Sequence, residues 1–225
     1  MWLVCAATGA EARACRRGLA DAGADDAEVL QTGVGLARAA EALARRLRRS
    51  PRPSLVVSSG FAGALTPDVP LHAWVTADEV LRLSGGAARP VALAPGLLRG
   101  AEGARPCRVV SGEALLRGAP ATVAAPVAGD MESAALAEVA AGAGVPFLVL
   151  RLVTDTPAAP MHPLGRIATD LLASDGGVDR ARHAARAAAQ ALSAPRGAAA
   201  FVRASAGWCA LLRDGWRTRA ASLAG

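Results

Sequence analysis

The sequence predicts an α/β fold: a single three-layer αβα domain around a central, mainly parallel, twisted mixed sheet. Three observations carry that expectation. Short, continuous apolar runs alternate along the chain with helical stretches, the pattern of strands buried on both faces by crossover helices. Glycine turns follow several of those runs. The 225 residues are enough for one well-filled domain, and no internal repeat divides them.

Taken in order, "MWLVCAAT" is a first strand and leads into a helix beginning near Glu11. "AEVLQTGVG" is a second strand ending in a glycine turn. The next segment places Leu36, Ala40, Leu43 and Leu47 on one face and Glu41, Arg45 and Arg48 on the other, so it is an amphipathic helix. "SPRPS" breaks the chain before "LVVSSGFAGAL", a buried strand entering a second glycine-rich turn at Gly60–Gly63. "AWVTADEVLRL" and "CRVVSGEALL" are further strands, separated by a Gly/Ala/Pro-rich loop from about Ser84 to Arg105. After "VAGD" a helix runs over Met131–Ala141; Gly142 and Gly144 stop it, and Pro146 introduces the strand "FLVLRLVTD". Helices are expected over Pro163–Ala173, Val178–Leu192 and, with Phe201, Trp208 and Leu212, Ala198–Arg213. Residues 1–195 form the expected core domain, and 196–225 a helical extension packed on it or at an interface.

Composition narrows the function. More than half of the chain is hydrophobic, yet it holds no uncharged apolar run of about 18 residues. The first apolar run is too short for a signal-peptide core, so a cytoplasmic protein is expected. The net charge is +6, and every basic residue is an arginine. These arginines are scattered, apart from "RRLRR" at Arg45–Arg49, which is expected to be a solvated helix face. Few aromatics accompany them, which argues against nucleic acid. Cys5, Cys15, Cys107 and Cys209 are far apart, and His72, His162 and His183 are isolated. They fit buried, reduced thiols and imply no metal site.

In parallel sheets ligands bind beyond the carboxyl ends of the strands. Asp155 ends a strand, the Gly60–Gly63 turn follows another, and Glu11 follows the first, so three distant segments are expected to meet at one sheet edge. Asp130 is expected to cap the helix that Glu132 enters, although an acid in a first turn also satisfies the helix dipole. "TGVG" and "GFAG" allow close backbone approach to a ligand. Neither is a dinucleotide fingerprint or a P-loop, and no GxSxG elbow is present.

The combination is more specific than its parts. "DMESAALAEVAAGAGVPFLVLRLVTD", with "AATGAEAR", "TGVG", "SSGFAGALTP", "VTADEV" and "VSGEALL" in that order, resembles the purine nucleoside phosphorylase and nucleosidase superfamily. Within it the chain is most similar to the hopanoid-associated phosphorylase/nucleosidase branch. The resemblance covers roughly residues 1 to 190. It implies cleavage of a purine N-glycosidic bond through an oxocarbenium-like transition state. Asp155 would protonate the departing base, Glu132 would bind a ribose hydroxyl, and Glu11 would position an attacking water. Met131 would pack on the sugar and Leu115 on the base, beside the backbone at Ala114. Ser59, Gly60, Phe61 and Thr154 would complete the substrate site. No cofactor or metal is implied, and the relatives lead one to expect a homodimer.

Departures from the family pattern bear on nucleophile and substrate. Ser58 and Phe61 stand where phosphorylases of the hexameric type use phosphate-binding side chains, and Phe61 has no donor for an anion. Phosphate remains a possible co-substrate if Arg13 and Gly9 supply a different site. His72 and Ala73 replace the usual Gly-Asp before "VTADEV". The short 84–105 loop suggests an open 5′ side and a bulky 5′ substituent, as in adenosylhopane, from which adenine would be removed. Futalosine hydrolysis and methylthioadenosine/S-adenosylhomocysteine-type hydrolysis are the alternatives, with a non-catalytic nucleoside-binding protein more remote. The substrate is thus a small-molecule or lipid-linked nucleoside. The C-terminal helix, with Phe201, Trp208, Leu212 and Trp216 beside Arg203, Arg213 and Arg217, either contacts a membrane surface peripherally or packs on protein.

Overall fold

A computed structural model describes residues 1–93, 103–174 and 176–224. The elements in order are β1 (Trp2–Ala6), α1 (Gly9–Asp21), β2 (Ala27–Gln31), α2 (Leu36–Leu47), β3 (Leu55–Ala64), β4 (Trp74–Ser84), β5 (Ala87–Pro90), β6 (Arg105–Ser111), β7 (Val127–Asp130), α3 (Ser133–Gly142), β8 (Phe147–Asp155), α4 (Pro163–Ala173), α5 (Gly177–Ser193) and α6 (Pro195–Ala224). The expected mixed α/β domain, with a mainly parallel sheet, is what forms.

The apolar runs account for its layers. Along β1, Trp2, Val4 and Ala6 join one buried cluster while Leu3 and Cys5 join the other. Along β8, Leu148, Leu150 and Leu152 alternate in the same way with Phe147, Val149 and Val153. A strand whose two faces are both apolar must be covered twice. Leu36 and Leu43 of α2 and Leu136 of α3 cover one face, and Cys15 and Leu19 of α1 with Leu212 and Trp216 of α6 cover the other.

The sheet has an edge at β2, then β1, then β3. β3 pairs in parallel with β8 and antiparallel with β7. β8 continues antiparallel to β4, β4 parallel to β6, and β6 parallel to β7. The strands β3, β8, β4, β6 and β7 therefore close on themselves, with β1–β2 and the hairpin strand β5 as extensions. This closure puts the ends of β3, β7 and β8 together.

Several expectations need correction. The Gly60–Gly63 segment is not a turn after β3 but its continuation, paired residue by residue with β8 up to a register shift at Ala62/Gly63. "VAGD", read only as a lead into the helix, is strand β7, and α3 starts two residues later than expected. Part of the 84–105 stretch is the β4–β5 hairpin, and residues 94–102 lie outside the described ones. Arg46 is not a solvated member of its cluster. It is buried, and its guanidinium clamps Glu28 of β2 at 2.7–3.0 Å while bonding the Arg49 and Pro51 carbonyls. His72 adopts φ +62°, the left-handed conformation that glycine takes at no steric cost. α6 runs to Ala224, well past the expected end at Arg213, because Leu212, Trp216 and Ala220 are core residues.

Candidate active site

α1 is held at its start by a reciprocal pair. The Thr8 hydroxyl accepts from the Glu11 amide at 3.2 Å, and Glu11 Oε2 accepts from the Thr8 amide at 2.8 Å, a capping box. The other oxygen, Oε1, accepts from the Phe61 amide of β3 at 2.8 Å. One buried carboxylate thus joins β1–α1 to β3. Gly60 explains the approach: a Cβ there would lie 2.3 Å from Glu11 Oε1, and its φ is +128°.

Arg151 in β8 organises the second group. It is almost fully buried, with Nε 2.7 Å from Asp130 and Nη2 3.1 Å from Glu132. Its remaining donors reach the Ser58 hydroxyl and the Phe61 carbonyl, each at 2.9 Å. Asp130 ends β7 and accepts from the Glu132 and Ser133 amides and from Ser111 Oγ at 2.5 Å. It serves the α3 start from two residues before the cap position and also balances Arg151. Glu132 is the N-cap residue, yet its side chain turns away to accept from the Gly35 amide of "TGVG" at 3.0 Å. Burial pushes Glu132 up to about 7, against the pull of Arg151, because that one cation also serves Asp130.

Asp155, at the end of β8, is half-buried. Burial raises its carboxyl above the ordinary range, with the Thr154 hydroxyl at 3.3 Å and the Arg166 charge opposing the rise. A Cβ at Gly63 would stand 2.8 Å from Asp155 Oδ2. A neutral carboxyl at such a place can donate a proton.

Glu11, Glu132 and Asp155 border one cleft of about 340 Å³, together with Met131, Leu115, Phe61 and Thr154. The other predicted residues lie elsewhere. Ala114 borders a smaller recess beside Asp155, and Gly60 acts through Glu11. Ser59 is fully buried between β3 and α6, where its oxygen accepts from Trp216 Nε1 at 2.9 Å, and it does not border the cleft. Arg13 is exposed, and neither it nor Gly9 borders the cleft. Among the described residues lining the cleft, Arg151 is the one cation, and its donors are occupied. Burial raises the Cys5, Cys15 and Cys107 thiols to about 12, which leaves them inert.

The far wall was only partly foreseen. α6 turns Phe201, Ser205, Trp208 and Cys209 into the cleft, and Met161 and the α4 residues Ala168 and Leu172 face them. Phe201 and Trp208 pack edge-to-face at 6.2 Å, and Trp208 meets Phe61 at the same distance. The 201/205/208 spacing marks one helix face, but the sequence does not say what that face meets.

Residues 107–194 match the sequence profile of the phosphorylase superfamily. The match includes Leu115, Glu132 and Asp155 but not Glu11. No curated protein matches the chain in sequence. Among solved structures, it is similar to a 5′-methylthioadenosine/S-adenosylhomocysteine nucleosidase from Colwellia psychrerythraea in complex with adenine, at 19% identity and TM-score 0.58, covering 71% of this chain and 84% of that one. It is also similar to a mutant nucleosidase from Helicobacter pylori with 5′-methylthioadenosine in its active site (16%, TM-score 0.56, 70% and 87%). A futalosine hydrolase mutant from the same organism matches at 15% and TM-score 0.55, over 68% and 88%. At these identities the likeness is one of fold.

Proposed function

We propose that the chain is an N-ribosyl glycosidase that releases the free base from a purine nucleoside. The observation that carries this reading is the meeting of Asp155, Glu132 and Glu11, from three distant segments, around one cleft. Asp155, already biased toward its protonated form, donates to the base as the C1′–N bond breaks. The electrons of that bond leave with the base, and positive charge develops on the ribose. Glu11, and Glu132 in its ionised form, supply the negative field that stabilises it. Glu132 also holds a ribose hydroxyl, Met131 packs on the sugar, and Leu115 packs on the base. Glu11, its carboxylate fixed by two backbone amides, orients a water whose oxygen bonds C1′ as its proton passes to that carboxylate.

Water suits that position better than phosphate. An anion entering there would face two carboxylates, and the nearby Arg151 is already engaged. The profile match and the nucleosidase-like fold support the same reaction class. The substrate favoured by the α4–α6 wall bears a bulky apolar 5′ group, because Met161, Leu172, Phe201 and Trp208 offer apolar surface and few polar partners. Adenosylhopane, yielding adenine, has that chemistry; futalosine is the second reading, supported by the similar fold of the hydrolase.

The test is base release from methylthioadenosine, adenosine, inosine, futalosine and detergent-solubilised adenosylhopane, with and without phosphate. Adenine from the lipid nucleoside, independent of phosphate, is expected. Hypoxanthine from futalosine would reassign the substrate, and a phosphate requirement would reassign the nucleophile. No base from any of them would refute the glycosidase reading.

A further inference from the structure

We propose that the exposed surface of the α5–α6 hairpin docks on an anionic lipid bilayer. The charge distribution points there first. The two helices α5 and α6 carry eight arginines and two acidic residues, a net charge of +6 that equals that of the whole protein. Elsewhere the remaining seventeen arginines face seventeen acids. The excess positive charge is therefore confined to one helical hairpin.

Burial supplies the second observation. No residue of the 17-residue α5 is buried. Leu192 and Val202 are 82% and 65% exposed, and Leu211 is 40% exposed. Arginines interleaved with exposed aliphatic side chains match a surface that presents phosphates over hydrocarbon, since each guanidinium can reach a headgroup while the apolar groups enter the acyl boundary. A nucleic acid would match the charge alone. The hairpin's Phe201 and Trp208 face the cleft and Trp216 is in the core, so its outer surface lacks those rings as a base-stacking platform. Among the described residues no helix is long and apolar enough to cross a membrane, so the contact is at the surface.

Location gives the docking a use. The stretch of α6 that sends Phe201 and Trp208 into the cleft exposes Val202 and Arg203, and Leu172, which lines the cleft, is 45% exposed. A docked hairpin would set the apolar α4–α6 wall beside the bilayer, where a lipid-linked nucleoside resides. That use rests on the proposed glycosidase reading; the docking does not.

The experiment is flotation of the full chain with phosphatidylcholine vesicles, with and without phosphatidylglycerol. The chain is expected to float only with the anionic vesicles, and less as salt rises. Each arginine near such a surface contributes about a fivefold gain in partition. The Arg182→Glu/Arg186→Glu/Arg203→Glu variant should therefore lose at least about a hundredfold. Leu192→Ser/Val202→Ser should weaken binding without changing charge. Melting temperature checks that both variants fold, and base release from a soluble nucleoside is expected to stay at the parent rate. Flotation without base release would remove the glycosidase reading and leave the docking intact. Failure of the parent chain to float, or charge reversal without effect, would overturn the proposal. So would preferential binding to a single-stranded oligonucleotide, or a dimer that the triple variant converts to monomers, which would make this face a subunit interface.

Discussion

Replacing Gly63 with alanine adds one carbon where Asp155 needs room. The backbone at Gly63 lies in β3 with no left-handed φ, so alanine fits it without strain. The added Cβ would stand 2.8 Å from Asp155 Oδ2 and 3.4 Å from its Cγ. Ordinary contact begins near 3.4 Å, so the carboxyl must retreat by at least about 0.6 Å. A terminal carboxyl can do that by rotation, and a glycine-to-alanine change in a compatible strand gains about 0.4–1 kcal/mol from the unfolded chain. Stability should therefore stay within about 1 kcal/mol of the parent. Catalysis is less tolerant: misplacing a reacting group by about 1 Å costs up to about a hundredfold, so the shift worked out here should cost roughly ten- to a hundredfold in kcat. Thermal unfolding and steady-state base release on the best nucleoside check the two halves. A fully folded variant whose kcat is within about twofold of the parent, a difference of about 0.4 kcal/mol, would refute the placement of Asp155 as the proton donor.

Three further outcomes follow from the same geometry. Glu132 has its folded-state value raised to about 7 by burial, so its contribution to stability is fully present below its unfolded value of about 4.3 and is lost as pH rises through 7; denaturant midpoints from acid to neutral pH should show this slope in the parent and a flatter one in Glu132→Gln. Arg151→Met should cost about 3–5 kcal/mol, because it leaves Asp130 and Glu132 buried without their shared cation; a circular dichroism melt near the parent's would contradict the network. Ser59→Ala should cost about 1–2 kcal/mol through the orphaned Trp216 N–H, with kcat unchanged, and a loss of kcat exceeding the stability loss would return Ser59 to the site.

How much of this was legible in the chain depends on where the cause lies. The strands β1, β3 and β8 were readable because both of their faces are apolar, and α4 because Pro163 opens it and the pattern ends at Ala173. β7 was not, since "VAGD" is four residues whose strand character comes from pairing with β3 and β6. Arg46 was misread for a similar reason: it sits in α2, and its burial depends on Glu28 of the separate strand β2. The carboxylates Glu11, Glu132 and Asp155 could be picked out by their positions at element ends and by resemblance. The common support for Glu132 and Asp130, Arg151, carries no such signal, because both of its acidic partners lie outside its own strand. The division of Ser58 from Ser59 across β3 needed the helices that each face meets, and the α4–α6 wall needed tertiary packing.

The most direct test of the central assignment is base release by Asp155→Asn on the nucleoside that the parent cleaves best. The amide keeps the size and the Thr154 contact but carries no acidic proton. Release should fall by about a hundredfold or more, with the melting temperature and circular dichroism of the parent retained. Turnover at the parent rate by a folded Asp155→Asn protein would contradict protonation of the departing base by this residue, and with it the proposed mechanism.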